Sequence, residues 1–279
     1  MKKTINRQQF LKRSAAVTAG LAGAPLLMSR ANRKTFGYES ENDKKFVSIF
    51  DGKSLDGWHK NGGRWSVESG AIISEQEPPG SGEGGILLTD KKYRDFELIA
   101  DVLPDWGCDS GIFLRSRPNG QSYQVYVDYH SEPNDGGIVG FIYGQSTGGW
   151  RTEPFRYDGV LENGRLVDLE MRDFTPYPGY DTHPIRYACT KEEWKESWKL
   201  NEYNTIKVRC EGKYPIITTW INGTKICKFD AAGSKNPNFD KEKMYEATGD
   251  DGHIGLQVHG GDTWWNGKVR WKNIRIREL

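Results

Sequence analysis

From Phe46 onward the chain reads as short runs of apolar or alternating residues broken by Gly, Asn, Asp and Pro, the signature of strands joined by turns. Strands are predicted over 46–50, 65–67, 71–74, 85–88, 96–103, 111–116, 123–129 and 138–143, and then over 204–211, 216–221, 224–229, 252–259 and 268–277. Their spacing argues for an all-β, antiparallel fold. Asn222-Gly223 between two such runs is a strong short hairpin signal. The stretch of about 145–200 does not follow the pattern. Its Pro, Gly and Tyr content over 175–184 breaks regular structure, while 191–200 can form about two helical turns with Trp194 and Trp198 on one side. It reads as a long loop insert, and a long loop on a β scaffold is where a binding site is often built.

Two runs carry polar residues where a plain core would place Leu or Val. On strands of period two, Asp109, Gly111, Phe113 and Arg115 share one face, and Gln124, Tyr126 and Asp128 share another. Such residues either point to solvent or line a cleft. Gln257 and His259 are likewise two apart and project from one face. They meet the first set only if the strands are neighbours. Taken alone, His259 reads first as a hydrogen-bonded histidine at a strand end. Trp264 and Trp265 can form a wall on which a sugar stacks or can plug the edge of a sandwich.

Composition narrows the partners. Among 279 residues, 39 basic and 38 acidic side chains leave a formal charge of +1, which gives no global attraction to nucleic acid or to an anionic membrane. Aromatic residues make up 12%, with 10 Trp, which suits sugar stacking and a β core alike. Residues 1–31 join a basic start to an apolar stretch from Ala15 to Met28 and a small-x-small site at Ser29-Arg-Ala31, the pattern of a signal peptide. Asn6-Arg7-Gln8 resembles a twin-arginine motif with Gln8 at the second arginine. A periplasmic or extracellular protein is the expectation, with a polar linker over 32–45, one domain over 46–279 and no membrane span. Of Cys108, Cys189, Cys210 and Cys227, the pair Cys210 and Cys227 lies on neighbouring predicted strands and is favoured for a disulfide; buried free thiols are the alternative.

Several chemistries lack their residues. The alternating carboxylates of a retaining sandwich glucanase, which stand about 5 Å apart, are missing. Asp168-Leu-Glu170-Met-Arg-Asp173 has related spacing but reads as a solvated charged segment. No nucleophile elbow, phosphate loop, dinucleotide fingerprint or zinc helix occurs.

Ile49-Phe-Asp-Gly-Lys-Ser-Leu-Asp-Gly-Trp58, Trp65-Ser-Val-Glu-Ser-Gly-Ala-Ile72, Phe96-Glu-Leu98, Asp109-Ser-Gly-Ile-Phe-Leu-Arg115, Asn204-Thr-Ile-Lys-Val208, Trp220-Ile-Asn-Gly223, Gly255-Leu-Gln-Val-His-Gly260 and Lys272-Asn-Ile-Arg-Ile276, in that order, resemble the 3-keto-disaccharide hydrolase domain family. The resemblance runs from Phe46 to about Arg277 and implies a concanavalin A-like jelly-roll sandwich of two antiparallel sheets, with a ligand cleft on its concave sheet. It also implies action on an oligosaccharide or glycoside already oxidised at C3. A 3-keto group acidifies the C2 proton, a base removes it, and the C1 substituent leaves by β-elimination, after which water can add.

On this resemblance His259 is the base or acid, since imidazole is suited to proton transfer near neutral pH. Arg115 is the group that stabilises the enolate. Gln124, Tyr126, Asp128, Asp109, Gln257 and Trp264 are the substrate-binding set, and a divalent metal ion is a further candidate for the electrophile. The family strand often reads Tyr-Glu-Val-Gln where this chain has Tyr123-Gln-Val-Tyr126, which removes one candidate acid. The readings from other classes are a non-catalytic, lectin-like carbohydrate-binding module and a conventional glycoside hydrolase.

Overall fold

Strands whose side chains alternate between apolar and polar must turn one face to a core. In the computed structural model, which describes residues 45–130, 136–174, 185–234, 239–261 and 267–279, that requirement is met by two antiparallel sheets. Residues 1–31, nearly all of 32–45, 175–184 and Trp264 and Trp265 lie outside the described residues. In chain order the elements are β1 (Val47–Ser48), β2 (Trp58–Gly62), β3 (Arg64–Glu68), β4 (Ala71–Glu75), β5 (Gly85–Tyr93), β6 (Phe96–Pro104), β7 (Gly111–Ser116), β8 (Ser122–Tyr126) and β9 (Ile142–Gln145). There follow β10 (Phe155–Glu162), β11 (Arg165–Asp173), β12 (Ile185–Ala188), α1 (Lys191–Ser197), β13 (Asn204–Glu211), β14 (Ile216–Ile221), β15 (Thr224–Asp230), α2 (Lys241–Thr248), β16 (Gly252–Val258) and β17 (Val269–Glu278).

The larger sheet runs β12-β15-β14-β13-β6-β17-β4-β3, with β1 pairing β17; the smaller runs β2-β5-β16-β7-β8-β9. Between them lie the inward residues of each: Ile206, Val208 and Cys210 of β13, Phe96, Leu98, Ala100 and Val102 of β6, and Trp271 of β17 from the larger sheet. Ile112 and Leu114 of β7, Tyr123 and Val125 of β8 and Leu256 of β16 come from the smaller. Asn222 and Gly223 turn β14 into β15 with φ of 49° and 93°, the two positive values a two-residue primed turn needs.

The described part of the predicted loop insert holds regular structure. Over 155–173 the chain forms the β10-β11 hairpin, whose Leu169 is buried and Met171 half-buried while Asp168 and Glu170 face out. The charges that suggested a solvated segment are one face of a strand. α1 begins at Thr190, whose hydroxyl accepts from the Glu193 N–H while the Glu193 carboxylate accepts from the Thr190 N–H, a capping box. Its Trp194 donates to the Val139 carbonyl at 2.8 Å and stacks on Trp198 with ring centroids 5.4 Å apart.

All four cysteines are buried free thiols. The expected Cys210–Cys227 pair is not formed, because β14 stands between β13 and β15. Burial pushes the Cys210 thiol up to about 11 and the Cys189 thiol up to about 12, so none is poised as a nucleophile.

Trp194 is 0% exposed and holds α1 against the Val139 backbone. Truncating it to Ala is expected to cost about 3–5 kcal/mol, measured by denaturant unfolding; a cost under 1 kcal/mol, roughly that of a surface site, would mean that α1 is not anchored this way.

Candidate functional site

The pairing of β7 with β8 extends beyond both strands. Gly111 pairs with Tyr126, and an isolated bridge joins Cys108 to Tyr129 in the same register, so Asp109 stands opposite Asp128. Two carboxylates directly across a ladder repel. Here the second is also buried, 3% exposed. Asp128 accepts from the Ser110 N–H at 3.3 Å and the Gly137 N–H at 2.7 Å, and its carbonyl accepts from the Tyr157 hydroxyl. Burial, with the charge of Asp109, holds the Asp128 carboxyl well above its ordinary value. Asp109 goes the other way: burial opposes its ionisation, but a hydrogen bond from His130 and the nearby His259 and His130 imidazoles lower it overall. The two carboxyls are thus pushed in opposite directions, so that Asp109 gives up its proton before Asp128 does.

Two histidines complete the cluster. His130 Nε2 lies 3.6 Å from Asp109 Oδ2. His259 follows the end of β16, where its N–H donates to the Asp109 carbonyl at 3.3 Å and its carbonyl accepts from Gln76 Nε2 at 3.3 Å. Gln76 Oε1 in turn accepts the Gly82 N–H at 3.0 Å, so the Gly-rich 80–85 turn braces the backbone of His259. One ligand atom from each of Asp109, Asp128 and His130 lies within 4.8 Å of the others. Two carboxylates and an imidazole suit a hard or borderline divalent cation, and the cation would supply the positive charge that the opposed carboxyls lack. The donor set fits.

Next along the same face lies a polar pair. β7 sits between β16 and β8, and Gly111 has no side chain to separate Gln257 from Gln124. Gln124 Nε2 reaches Gln257 Oε1 at 2.9 Å and the Ser110 carbonyl at 3.3 Å, across the space a Cβ on Gly111 would occupy. Among the described residues Gln124 Oε1 has no hydrogen-bond partner although the residue is 2% exposed; it is an acceptor held ready for a hydroxyl. Tyr126 stacks on Tyr143 with centroids 5.3 Å apart, Arg151 stands 5.7 Å from the Tyr126 centroid, and the Gly137 backbone is packed on the Tyr126 ring. That ring is wall rather than open platform.

The structure thus gathers Asp109, Asp128, His259, Gln124, Gln257 and Tyr126. It does not bring Arg115 to them. Between His253↔Ser116 and Gly255↔Phe113 the β7 strand carries one extra residue, a bulge. Arg115 sits there with φ of 53°, so the period-two alternation fails at that residue. Its side chain turns to the core side, where Nε donates to the Arg94 carbonyl at 2.7 Å and Nη2 meets Asp95 at 2.9 Å, within electrostatic reach of Tyr123 and Cys210. Arg115 is also six residues from Asp109 along the strand, about 20 Å at 3.3 Å per residue. It is a structural ion pair. Trp264 lies outside the described residues.

His130, Arg151, Arg156 and Arg172 were missed. Asp128 and His130 are two apart and share a side of an extended chain, a signal that was available. The arginines come from the insert, where only three-dimensional pairing reveals them.

A Gly111→Ala substitution is expected to split the Gln124–Gln257 pair while leaving the fold intact, since the obstructing atoms are the movable end of one side chain. Overpacking should cost about 1–3 kcal/mol. The side-chain amide resonances of both glutamines should shift in NMR; unchanged amides would mean that Gly111 does not gate their contact.

Three comparisons bear on this site. A model of the 3-keto-alpha-glucoside-1,2-lyase-like domain matches residues 45–277. A protein of Bacteroides thetaiotaomicron named 3-keto-disaccharide hydrolase is 34% identical over 263 residues, covering 84% of this chain and 78% of that protein. A putative glycosyl hydrolase from Parabacteroides distasonis shares the fold at a TM-score of 0.51 and 20% identity, covering 84% of this chain and all of the other. The sandwich is of the concanavalin A-like, jelly-roll type, and the chain belongs to the 3-keto-alpha-glucoside-1,2-lyase-like family.

Proposed function

We propose that the protein cleaves 3-keto-glycosides by removing the C2 proton and expelling the C1 substituent, with or without later addition of water. The observation that carries this reading is the meeting of His259 with Asp109, Asp128 and His130 at one end of β7, beside the Gln124–Gln257 amides. Family membership supports action on carbohydrate; the lyase step is the part that goes further.

His259 would take the C2 proton, with ionised Asp109 beside it to hold the imidazole and to favour the imidazolium that forms. The electron pair left on C2 moves toward the 3-keto oxygen as the enolate forms, then forms the C1–C2 double bond as the C1–O bond breaks and the leaving oxygen takes up a proton. Asp128, whose carboxyl is pushed up by burial and by the charge of Asp109, would be the acid that gives one. Gln124 and Gln257 would orient ring hydroxyls through the free Oε1 of Gln124. Asp109, Asp128 and His130 could instead hold a divalent cation, which when bound would polarise the keto oxygen. Export is part of the proposal and is supported by the basic, apolar and small-residue order of residues 1–31. Among the described residues no helix is long and apolar enough to cross a membrane.

Incubated with a 3-keto-glucoside in D2O, the protein is expected to release the aglycone and to exchange deuterium into C2, and His259→Ala should slow release by about 10²–10⁴-fold. Sugar binding without release or exchange would identify a binding module. Release unaffected by His259→Ala would remove that residue from the reaction.

A further inference from the structure

At the other end of β16 lies a second pair of imidazoles, which the proposed reaction does not use. His253, Gly255, Gln257 and His259 alternate along that strand and its continuation, so they project from one face. His253 is six residues from His259, about 20 Å at 3.3 Å per residue. His59 joins the same face from the edge strand β2, since it pairs with Leu88 and Leu88 pairs with Gly255.

An irregularity in β5 supports both rings. Between the pairs His253↔Lys92 and Gly255↔Leu88, β5 carries Thr89, Asp90 and Lys91 where β16 carries Ile254 alone, a bulge. The buried Thr89 hydroxyl holds it by accepting from the Ile254 N–H at 3.0 Å and donating to the Lys91 carbonyl at 2.7 Å. Two acceptors of the bulge then meet the imidazoles. The Asp90 carboxylate accepts from His59 Nδ1 at 2.8 Å, and the Thr89 carbonyl accepts from His253 Nδ1 at 2.6 Å.

A carboxylate and a carbonyl only accept, so each Nδ1 carries a proton and, in the neutral ring, each Nε2 keeps its lone pair. Among the described residues neither Nε2 makes a hydrogen bond. The ring centroids stand 5.3 Å apart with planes at 85°. Two imidazoles on one tetrahedral ion, each nitrogen about 2.1 Å from it, have ring centres about 5 Å apart. Tying the second ring nitrogen to a carboxylate or a backbone carbonyl is also how proteins fix the tautomer and orientation of a metal-ligating histidine. The His59 side chain is 46% exposed and His253 is 7% exposed, so an ion reaches the pair from the His59 side, with water completing its shell.

We propose that His59 and His253 hold one divalent transition-metal ion of the zinc, nickel or copper class through their Nε2 atoms, with Asp90 orienting His59. Imidazole suits these ions better than it suits calcium or magnesium. The ion is too far from His259 to take part in the proposed reaction; it pins the edge strand β2 to β16 across the β5 bulge. The assignment goes beyond the glycoside reading and does not rest on it.

Titrating the metal-free protein with Cu2+ while following the histidine ring resonances by NMR tests the site, and no turnover enters the reading. A paramagnetic ion between the two rings should broaden His59 and His253 together. An ion taken up by Asp109, Asp128 and His130 broadens the His130 ring instead, so the two positions are read separately. His59→Gln lies on an exposed edge strand and should fold; its His253 ring should stay sharp at the Cu2+ concentration that broadens it in the unsubstituted protein. Asp90→Ala keeps both ligand nitrogens and should raise the concentration needed by about 10–100-fold. His59 and His253 rings that stay sharp throughout, a His253 ring broadened equally in His59→Gln, or an unchanged concentration in Asp90→Ala overturns the assignment.

Discussion

Two carboxyl groups set face to face on adjoining strands, one of them out of reach of water, form the constraint around which this end of the sandwich is organised. The register that pairs Gly111 with Tyr126 leaves Asp109 and Asp128 no other arrangement, and the electrostatic cost must be relieved by a proton, a cation or both. The surrounding chain relieves it in part. Backbone N–H groups of Ser110 and Gly137 hold Asp128, Tyr157 fixes its carbonyl from the hairpin, and His130 and His259 flank Asp109. Remove the opposed carboxyls, and the Ser110 and Gly137 N–H groups and His130 lose the groups they meet, while Tyr157 and the His259 N–H keep the main-chain carbonyls they bond.

The proposed function draws on that convergence. An ionised carboxylate beside an imidazole is a base with its orientation supplied, and a protonated carboxyl nearby is an acid. The amides of Gln124 and Gln257 meet only because Gly111 contributes no side chain. The reaction of a 3-keto sugar asks for little more than one base and one electrophile, which is consistent with the absence from the sequence of the alternating carboxylate run of a sandwich glucanase.

Much of the fold was legible because its strands are either half-buried and alternating, as in β13, or bounded by turn residues with positive φ, as at Asn222-Gly223. In β11 the charges of Asp168 and Glu170 are solvated as expected, but the segment was placed in a loop because charge density outweighed the alternation of Leu169 and Met171. The site was legible wherever period two held: Gln124 and Tyr126, Gln257 and His259, and Asp109 with Gly111 each share a face as expected. Arg115 departs from the pattern because a single extra residue in β7 turns its side chain to the opposite side, and a bulge leaves no mark in a run such as Gly-Ile-Phe-Leu-Arg-Ser. His130 was legible from its spacing two residues after Asp128, whereas the arginines of the hairpin reach the site only by long-range pairing.

The state of the opposed pair can be read directly by following the side-chain carboxyl carbons of Asp109 and Asp128 in 13C NMR as pH is varied in the cation-free protein. The account predicts that Asp128 keeps its proton well above the ordinary carboxylate range while Asp109 loses its proton below it, each responding to the other's titration. Two independent titrations near the ordinary aspartate value would contradict it, because the carboxyls would then be neither opposed nor buried together.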